Sequence, residues 1–478
     1  MVSEQYLLFQ PEFNRSIQVE VRDERLTSDA GALLCREAAE RLGLFARLAS
    51  QLKDPRDPEA VTHPLTELLR TLVLLQVQGW RDQDDVDRLR ADPAFRLAVS
   101  DRRGDRPLRE EDGAPQALAS QPTLSRTLRT LSAPDNRSVL RQELVGLAVE
   151  RLRSEGALDR PMWLDGDSLP LRVHGHQDQA EYNGHYRKMC YHPFVVTLGD
   201  PGDLLGVWLR RGAVHTAAGA LDYLLETVRR FKELGGKVAG VRLDAGMPSQ
   251  PLLVGLEDAE VPYVARLRRN AVLDRLAGDG HRLPHLPAPE GEAVTRFTEF
   301  RYAAASWSRK RRIIGVAIQE PGELFARSFY LVTSLEDLPP EELLALYRRR
   351  GNAENNFGEW MTSMDPHLSS ARRTKSHYQG QAPDPEKQSP PIEPFAVNEA
   401  WLLVSALAYN LLHIVRTRVE TATNRGWTLQ SVREKVLKVG ARVLLGGRRV
   451  TVVVAESARH LWAVLWTQIS ALDPVQTE

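Results

Sequence analysis

The chain has 478 residues, 42 % apolar and 26 % charged, with 63 Lys+Arg balanced by 63 Asp+Glu. That length supports two or three domains with real cores, and the composition is ordinary for a soluble protein. Zero net charge gives no overall pull toward nucleic acid, and two distant cysteines, Cys35 and Cys190, argue against a disulfide framework or a cysteine zinc site.

No basic segment followed by an apolar run marks the N-terminus as a signal peptide. Residues 1–20 read as an irregular or short extended arm. From Thr27-Ser-Asp-Ala-Gly31 the pattern turns helical, with Leu33, Leu34, Ala38, Leu42 and Leu44 at helical intervals. A second helix fits His63 to Gln78, residues 100–120 read as a charged loop, and Gln121-Pro-Thr-Leu-Ser-Arg126 opens another helix. The expectation is a helical N-terminal region over 1–158.

At Arg160-Pro161 the character changes. Met162 to Val173, Cys190 to Leu198 and Leu204 to Arg210 read as strands, with Gly199-Asp-Pro-Gly202 as the turn between the last two. A helix over Ala217 to Leu234 ends at Gly235-Gly236. The strand Lys237 to Asp244, a short helix Pro248 to Glu257 and the strand Pro262 to Leu267 follow. This order predicts an α/β core with a mixed sheet over 159–269: an antiparallel meander, then crossovers.

Residues 270–336 carry three strand patterns without a helix between them and read as a β-rich insertion. A helix from Pro340 through Glu354 resumes the core, assigned to 337–420, with a polar, Pro-rich loop over 370–394 inside it. Phe395 to Arg416 is an amphipathic to buried helix; its apolar stretch Trp401 to Val415 is shorter than a bilayer span. A last helix, Leu429 to Val439, and a hairpin from Ala441 to Val454 turning at Gly446-Gly447 make up 421–478. A reducing cytoplasmic setting without a membrane partner is expected.

The chemistry gathers around Leu346 to Met361. Tyr347, Arg350 and Glu354, at steps of three and four, would share one helical face and offer a hydroxyl, a guanidinium and a carboxylate. Such a set suits a metal-bound phosphodiester if strand ends supply further carboxylates. Asp165 and Asp167 lie two apart on one strand and point to one face, so spacing does not choose between them; Asp244 ends another strand. Oxygen ligands of this kind favour Mg²⁺, with Mn²⁺ as a substitute, over softer metals. Arginine runs at 266–269, 309–312, 348–350, 372–375 and 448–449 suit phosphate contact, although a single run fits a solvated face equally well.

These motifs together resemble the bacterial insertion-sequence transposases of the DDE superfamily, over roughly residues 20–450. That group carries a Tyr-Arg-Glu-Lys signature, and Tyr347, Arg350 and Glu354 match its first three positions at the right intervals. Asp167-Ser168 and Asp244-Ala-Gly246 match its strand-end aspartates, so the resemblance prefers Asp167 over Asp165. Leu26 to Gly31, Gln121 to Arg126, His174 to Gln177, Tyr182 to Tyr186, Arg350 to Asn355 and Ala408 to Leu412 look familial too. The resemblance implies an RNase H-like α/β core, with Asp167, Asp244 and Glu354 as catalytic residues and metal ligands. It also implies DNA contact by Tyr347, Arg349 and Arg350. The partners implied are terminal inverted repeats, target DNA and a second copy in a homodimer. One position departs: Met361 stands where the signature has Lys.

Four histidines, His174, His176, His185 and His192, fall within nineteen residues, but without the tight ligand pairs of a zinc site. Trp163, Trp208, Trp307 and Trp360 read first as core residues, and Trp307 is the best candidate to stack on an unpaired base. Two other functions fit the same motifs: a metal-dependent nuclease without strand joining, and an inactive DNA-binding regulator, which Met361 keeps in play.

Overall fold

The computed structural model describes residues 6–9, 11–21, 24–100, 118–173, 175–278, 293–370, 393–446 and 449–472. The expected loops at 100–120 and 370–394, the basic run at 372–375, His174, Gly447 of the hairpin turn and Arg448 lie wholly or largely outside these residues.

Its centre is built from strands β1 (Pro161–Ser168), β2 (Phe194–Leu198), β3 (Leu204–Trp208), β4 (Lys237–Leu243), β5 (Tyr263–Leu267), β6 (Val294–Tyr302), β7 (Arg311–Gln319) and β8 (Arg327–Thr333). Every residue of β2 and β7 is buried, the pattern of strands covered on both faces. The eight form one sheet in the order β6-β7-β8-β5-β4-β1-β2-β3. β1, β4 and β5 are parallel, and β2 and β3 continue antiparallel from β1. The five strands β1–β5 thus form the RNase H-like mixed α/β core. The three strands of the expected insertion are present, and they extend this same sheet: β8 pairs antiparallel with β5. Without β8, the buried Val264 and Ala265 would sit on an open edge.

Helices cover both faces: α1 (Ala32–Arg41), α2 (Leu44–Gln51), α3 (Leu65–Val77), α4 (Gln121–Leu131), α5 (Pro134–Ser154), α6 (Ala220–Glu233), α7 (Gln250–Asp258), α8 (Pro340–Arg348), α9 (Gly351–Met364) and α10 (Pro394–Thr423). α10 is longer than its sequence suggested. By length and composition it could cross a membrane, but 94 % of its most apolar window is buried inside the fold. It shares one apolar cluster with α1–α5, α9 and the inner residues Leu204 and Val207 of β3. Asn410 on α10 accepts from Leu204 N–H at 2.9 Å and donates to its carbonyl at 2.8 Å, which closes part of the open edge of β3.

Four expected elements differ. The first helix is divided by Gly43, whose φ of +67° suits glycine. The strand expected over 162–173 stops at Ser168; Leu171–Arg172 joins Lys188–Tyr191 and Glu181–Asn183 in a separate small sheet. The strand expected over 190–198 is broken at His192-Pro193, where proline has no N–H to give a ladder. The helix expected through Glu354 is two helices. Arg350 N–H bonds Tyr347 O at 3.0 Å and Asn352 N–H bonds Arg349 O at 3.1 Å, a tightened turn just before helix-weak Gly351.

Arg433 ties the C-terminal segment to this assembly. It is buried, and burial pulls its pKa down to about 10. Its guanidinium donates to the carbonyls of Val77 (3.0 Å), Ser363 (2.8 Å) and Gln76 (3.2 Å). Arg433→Ala strands these buried acceptors and is expected to lower unfolding stability by about 3 kcal/mol, read as a fall in the urea midpoint at unchanged slope.

Candidate active site

Strand register brings the acids together. β1 and β4 run parallel with Asp165 beside Arg242 and Gly166 beside Leu243; one step further places Asp167 beside Asp244. Alternation sends Leu164, Val241 and Leu243 into the apolar cluster under α6 and α7 and sends Asp165, Asp167 and Arg242 to the opposite face.

On that face the two candidate aspartates part company. Asp165 is fully buried and grips Arg242 through two bonds, Nε to Oδ1 at 2.6 Å and Nη2 to Oδ2 at 2.7 Å. Arg242 also donates to the carbonyl of Leu346 at 3.1 Å, so the pair anchors the last turn of α8. Gly199 leaves room for it: a Cβ there would lie 2.0 Å from Arg242 Nη2. Asp165 is therefore spent on structure. Asp167, whose side chain is 17 % exposed, meets Arg350 instead.

Arg350 stands at the joint between α8 and α9 and meets all three candidate acids. Its Nη2 donates to Asp167 Oδ2 at 2.5 Å and its Nη1 to Glu354 Oε1 at 2.8 Å, while Nη1 lies 3.8 Å from Asp244 Oδ1. Asp167 also accepts from the N–H of Ser168 at 2.7 Å. Burial pushes the Asp167 carboxyl up to about 6; Asp244 and Glu354 push the same way, and Arg350 and the Ser168 N–H oppose them. Burial works against the charge on Arg350, but Asp167, Tyr347 and Asp244 outweigh it and raise its pKa. Tyr347 is largely buried beside Val264, Leu343 and Leu344, and burial lifts its hydroxyl to about 12. Tyr347 and Glu354 are thus on different helices, brought to one site by the turn at Arg350.

Among the described residues, no three His, Cys, Asp or Glu side chains close tightly enough to hold one metal ion; the Arg350 guanidinium stands between the acids. The residues nevertheless fit a hard divalent cation. Their donors are carboxylate oxygens, and they already gather around a positive group.

The other candidates sit elsewhere. Arg349 is exposed beside Arg350. Trp307 packs toward the cluster under α6 and α7, with Arg311 over its ring at 5.0 Å, on the face opposite Tyr347. Trp360 is buried and donates to Ser405 at 3.1 Å, Trp208 stacks on Tyr223, and Trp163 packs beside Tyr347's cluster. His192 is buried, and its Nδ1 lies 2.9 Å from the carbonyl of Val214; His176 and His185 are exposed. Met361 is half-buried against the core.

Sequence reasoning missed Arg242 and Arg210. Arg210 is buried and donates to Ser168 Oγ at 2.7 Å, bracing the residue after Asp167. Alternation along β4 could have flagged Arg242, since it faces the same way as the aspartates. Tyr186, inside a motif singled out above, places its hydroxyl 3.5 Å from the carbonyl of Ser168; burial, then Asp167 and Asp244, raise its pKa.

An RNase H-like sheet with acids at two neighbouring strand ends and on a following helix is the layout of the DDE class of nucleic-acid enzymes. The chain belongs to the family described as transposase DDE domain group 1, whose model matches residues 9–378 and 387–474. Domains of this family generally use divalent metal ions. A search of the curated proteins returns no match. Among solved structures, the piggyBac transposase synaptic complex with hairpin DNA aligns with 95 % of this chain and 87 % of that one, at 13 % identity and a TM-score of 0.39.

The two aspartates separate in a stability experiment. Asp165→Asn breaks a buried ion pair and is expected to cost about 3–5 kcal/mol. Asp167→Asn leaves Arg350 paired with Glu354, whereas Arg242 has no second carboxylate among the described residues, so Asp167→Asn is expected to melt closer to wild type than Asp165→Asn. Thermal melts of the two variants side by side provide the check.

Proposed function

We propose that the protein is the DNA transposase of a bacterial insertion sequence. In this reading it acts in the cytoplasm, binds the element's terminal inverted repeats, cleaves at the element ends and joins the freed 3′-hydroxyls to target DNA. The observation that carries it is the convergence of Asp167, Asp244 and Glu354, from two parallel strand ends and a helix, on one guanidinium.

Asp167 and Asp244 are the rigid oxygen donors, fixed by strand register, and Glu354 closes the set from the first turn of α9. Bound there, Mg²⁺ ions would supply the Lewis acid and the activated water or 3′-hydroxyl for attack at phosphorus. Arg350 neutralises the acids and orients the phosphate beside them, with Tyr347 packed behind it. Exposed Arg349 extends the cationic surface toward the DNA backbone. The helices of 1–158 would read the inverted repeats, and a homodimer would bring both ends into one complex. Met361, half-buried against the core where the signature has Lys, favours a second reading, a regulator that binds ends without cutting.

The test is cleavage and strand transfer in Mg²⁺ on DNA carrying the inverted repeats that flank the gene. Asp167→Ala, Asp244→Ala and Glu354→Ala are each expected to lower joined product by about three orders of magnitude, and chelation of the metal to abolish it. Met361→Lys is expected to raise the yield. Cutting that survives all three carboxylate changes would refute the site, cutting without joining would mark a nuclease, and a bound but uncut duplex would mark the regulator.

A further inference from the structure

A carboxylate site acting on a phosphodiester needs positive groups to hold the phosphate, and most arginines around this sheet are occupied. Arg242 is closed on Asp165, and Arg350, which faces the phosphate, is already shared by Asp167 and Glu354. Arg312 pairs with Glu299, and Arg309 and Arg311 both pair with Glu257. Arg210 is held by the carbonyls of His192, Thr216 and Ala218 and by Ser168. The position where similar transposases carry Lys holds Met361, packed on the core.

Arg266 is different. β5 runs parallel to β4, with Val264 beside Arg242 and Ala265 beside Leu243; the next step places Arg266 beside Asp244. Asp167, Asp244 and Arg266 therefore make one row across the C-terminal ends of three parallel strands, with neighbours about 4.8 Å apart. Alternation puts Arg266 on the face of the acids. Its partner on β8 is Leu331, which belongs to the cluster holding Val264 and Tyr347. The side chain is exposed, and among the described residues no carboxylate pairs with it. Its guanidinium rests over the ring of Phe329 at 5.0 Å, a contact that gives the group a direction while leaving its hydrogen-bond donors free.

We propose that Arg266 binds the scissile phosphate of the DNA strand from the β5 side of the acids, supplying a positive charge that Met361 does not. This rests on the transposase reading above and adds a substrate-binding residue to it. A fixed guanidinium at the end of the row neutralises the phosphate oxygens that Asp167 and Asp244 would otherwise repel.

The experiment compares wild type, Arg266→Ala, Arg266→Lys and Arg269→Ala on the inverted-repeat duplex. Each is tested with either the natural phosphate or an uncharged methylphosphonate at the cleaved position. Arg269, paired with Asp274, is the control expected to behave as wild type. Arg266→Ala is expected to cut about a hundredfold more slowly and to lower the slope of log affinity against log salt by about one. Methylphosphonate is expected to weaken wild-type binding and to weaken Arg266→Ala no further, and Arg266→Lys to recover part of the loss. The proposal is overturned if Arg266→Ala matches wild type, or if methylphosphonate weakens both equally, which would place Arg266 on another phosphate. Wild type that neither binds nor cuts would instead remove the transposase reading, and this inference with it.

Discussion

Two opposite charges buried between β1 and β4 organise the site. Asp165 and Arg242 have almost no contact with water, and neither could be buried alone without a cost of several kcal/mol. Their pairing favours the parallel register in which Asp167 and Asp244 become neighbours. The remaining Arg242 donor reaches the carbonyl of Leu346, so the same pair sets where α8 ends and where the turn to α9 begins. Arg350 and Glu354 follow from that turn.

The fold holds one of the acids, Asp167, against its charge. Three carboxylates face one guanidinium in Arg350, which leaves two formal negative charges when all are ionised. At Asp167, the least exposed of the three, burial is the larger cause, and its two charged neighbours add to it. Its carboxyl moves from 3.8 to about 6, so the folded chain holds this proton more tightly than the unfolded chain does. Asp167 alone therefore makes the fold lose stability as pH rises from about 4 to about 6. An arrangement that disfavours its own charge gains from a bound cation, and the oxygen donors are of the kind that hard divalent ions select.

Much of this could be read from the sequence because it depends on short periods. Strand alternation and the turn after Asp244 placed the acids at strand ends, and the runs between them gave the β1–β5 order. Some misreadings are local, such as the breaks at Gly43 and at His192-Pro193; others depend on partners far away in the chain. Periodicity cannot distinguish Asp165 from Asp167, since both point one way; Arg242, 77 residues on from Asp165, makes the distinction. The strand patterns of 294–333 were visible, but their continuation of the central sheet depends on the free edge of β5. The break at Arg350 was hidden because Tyr347, Arg350 and Glu354 keep helical spacing across it, and both Arg349 and Arg350 keep helical dihedrals.

The three acids also differ in how they are held. Asp167 lies in a hydrogen-bonded ladder, and Asp244 directly follows the last paired residue of one. Glu354 has no such tie: its side chain is 63 % exposed, and its position depends on how α9 lies against α10. Trp360, buried two turns further along, fixes that packing through Ser405, and Asn410 fixes α10 to β3. α10 in turn rests on the N-terminal helices within one apolar cluster. The position of the third acid is thus set by helix packing, while the first two are set by the sheet. A small shift of α9 would move Glu354 relative to two fixed partners, and the helical region that packs on α10 is the part of the fold best placed to produce one.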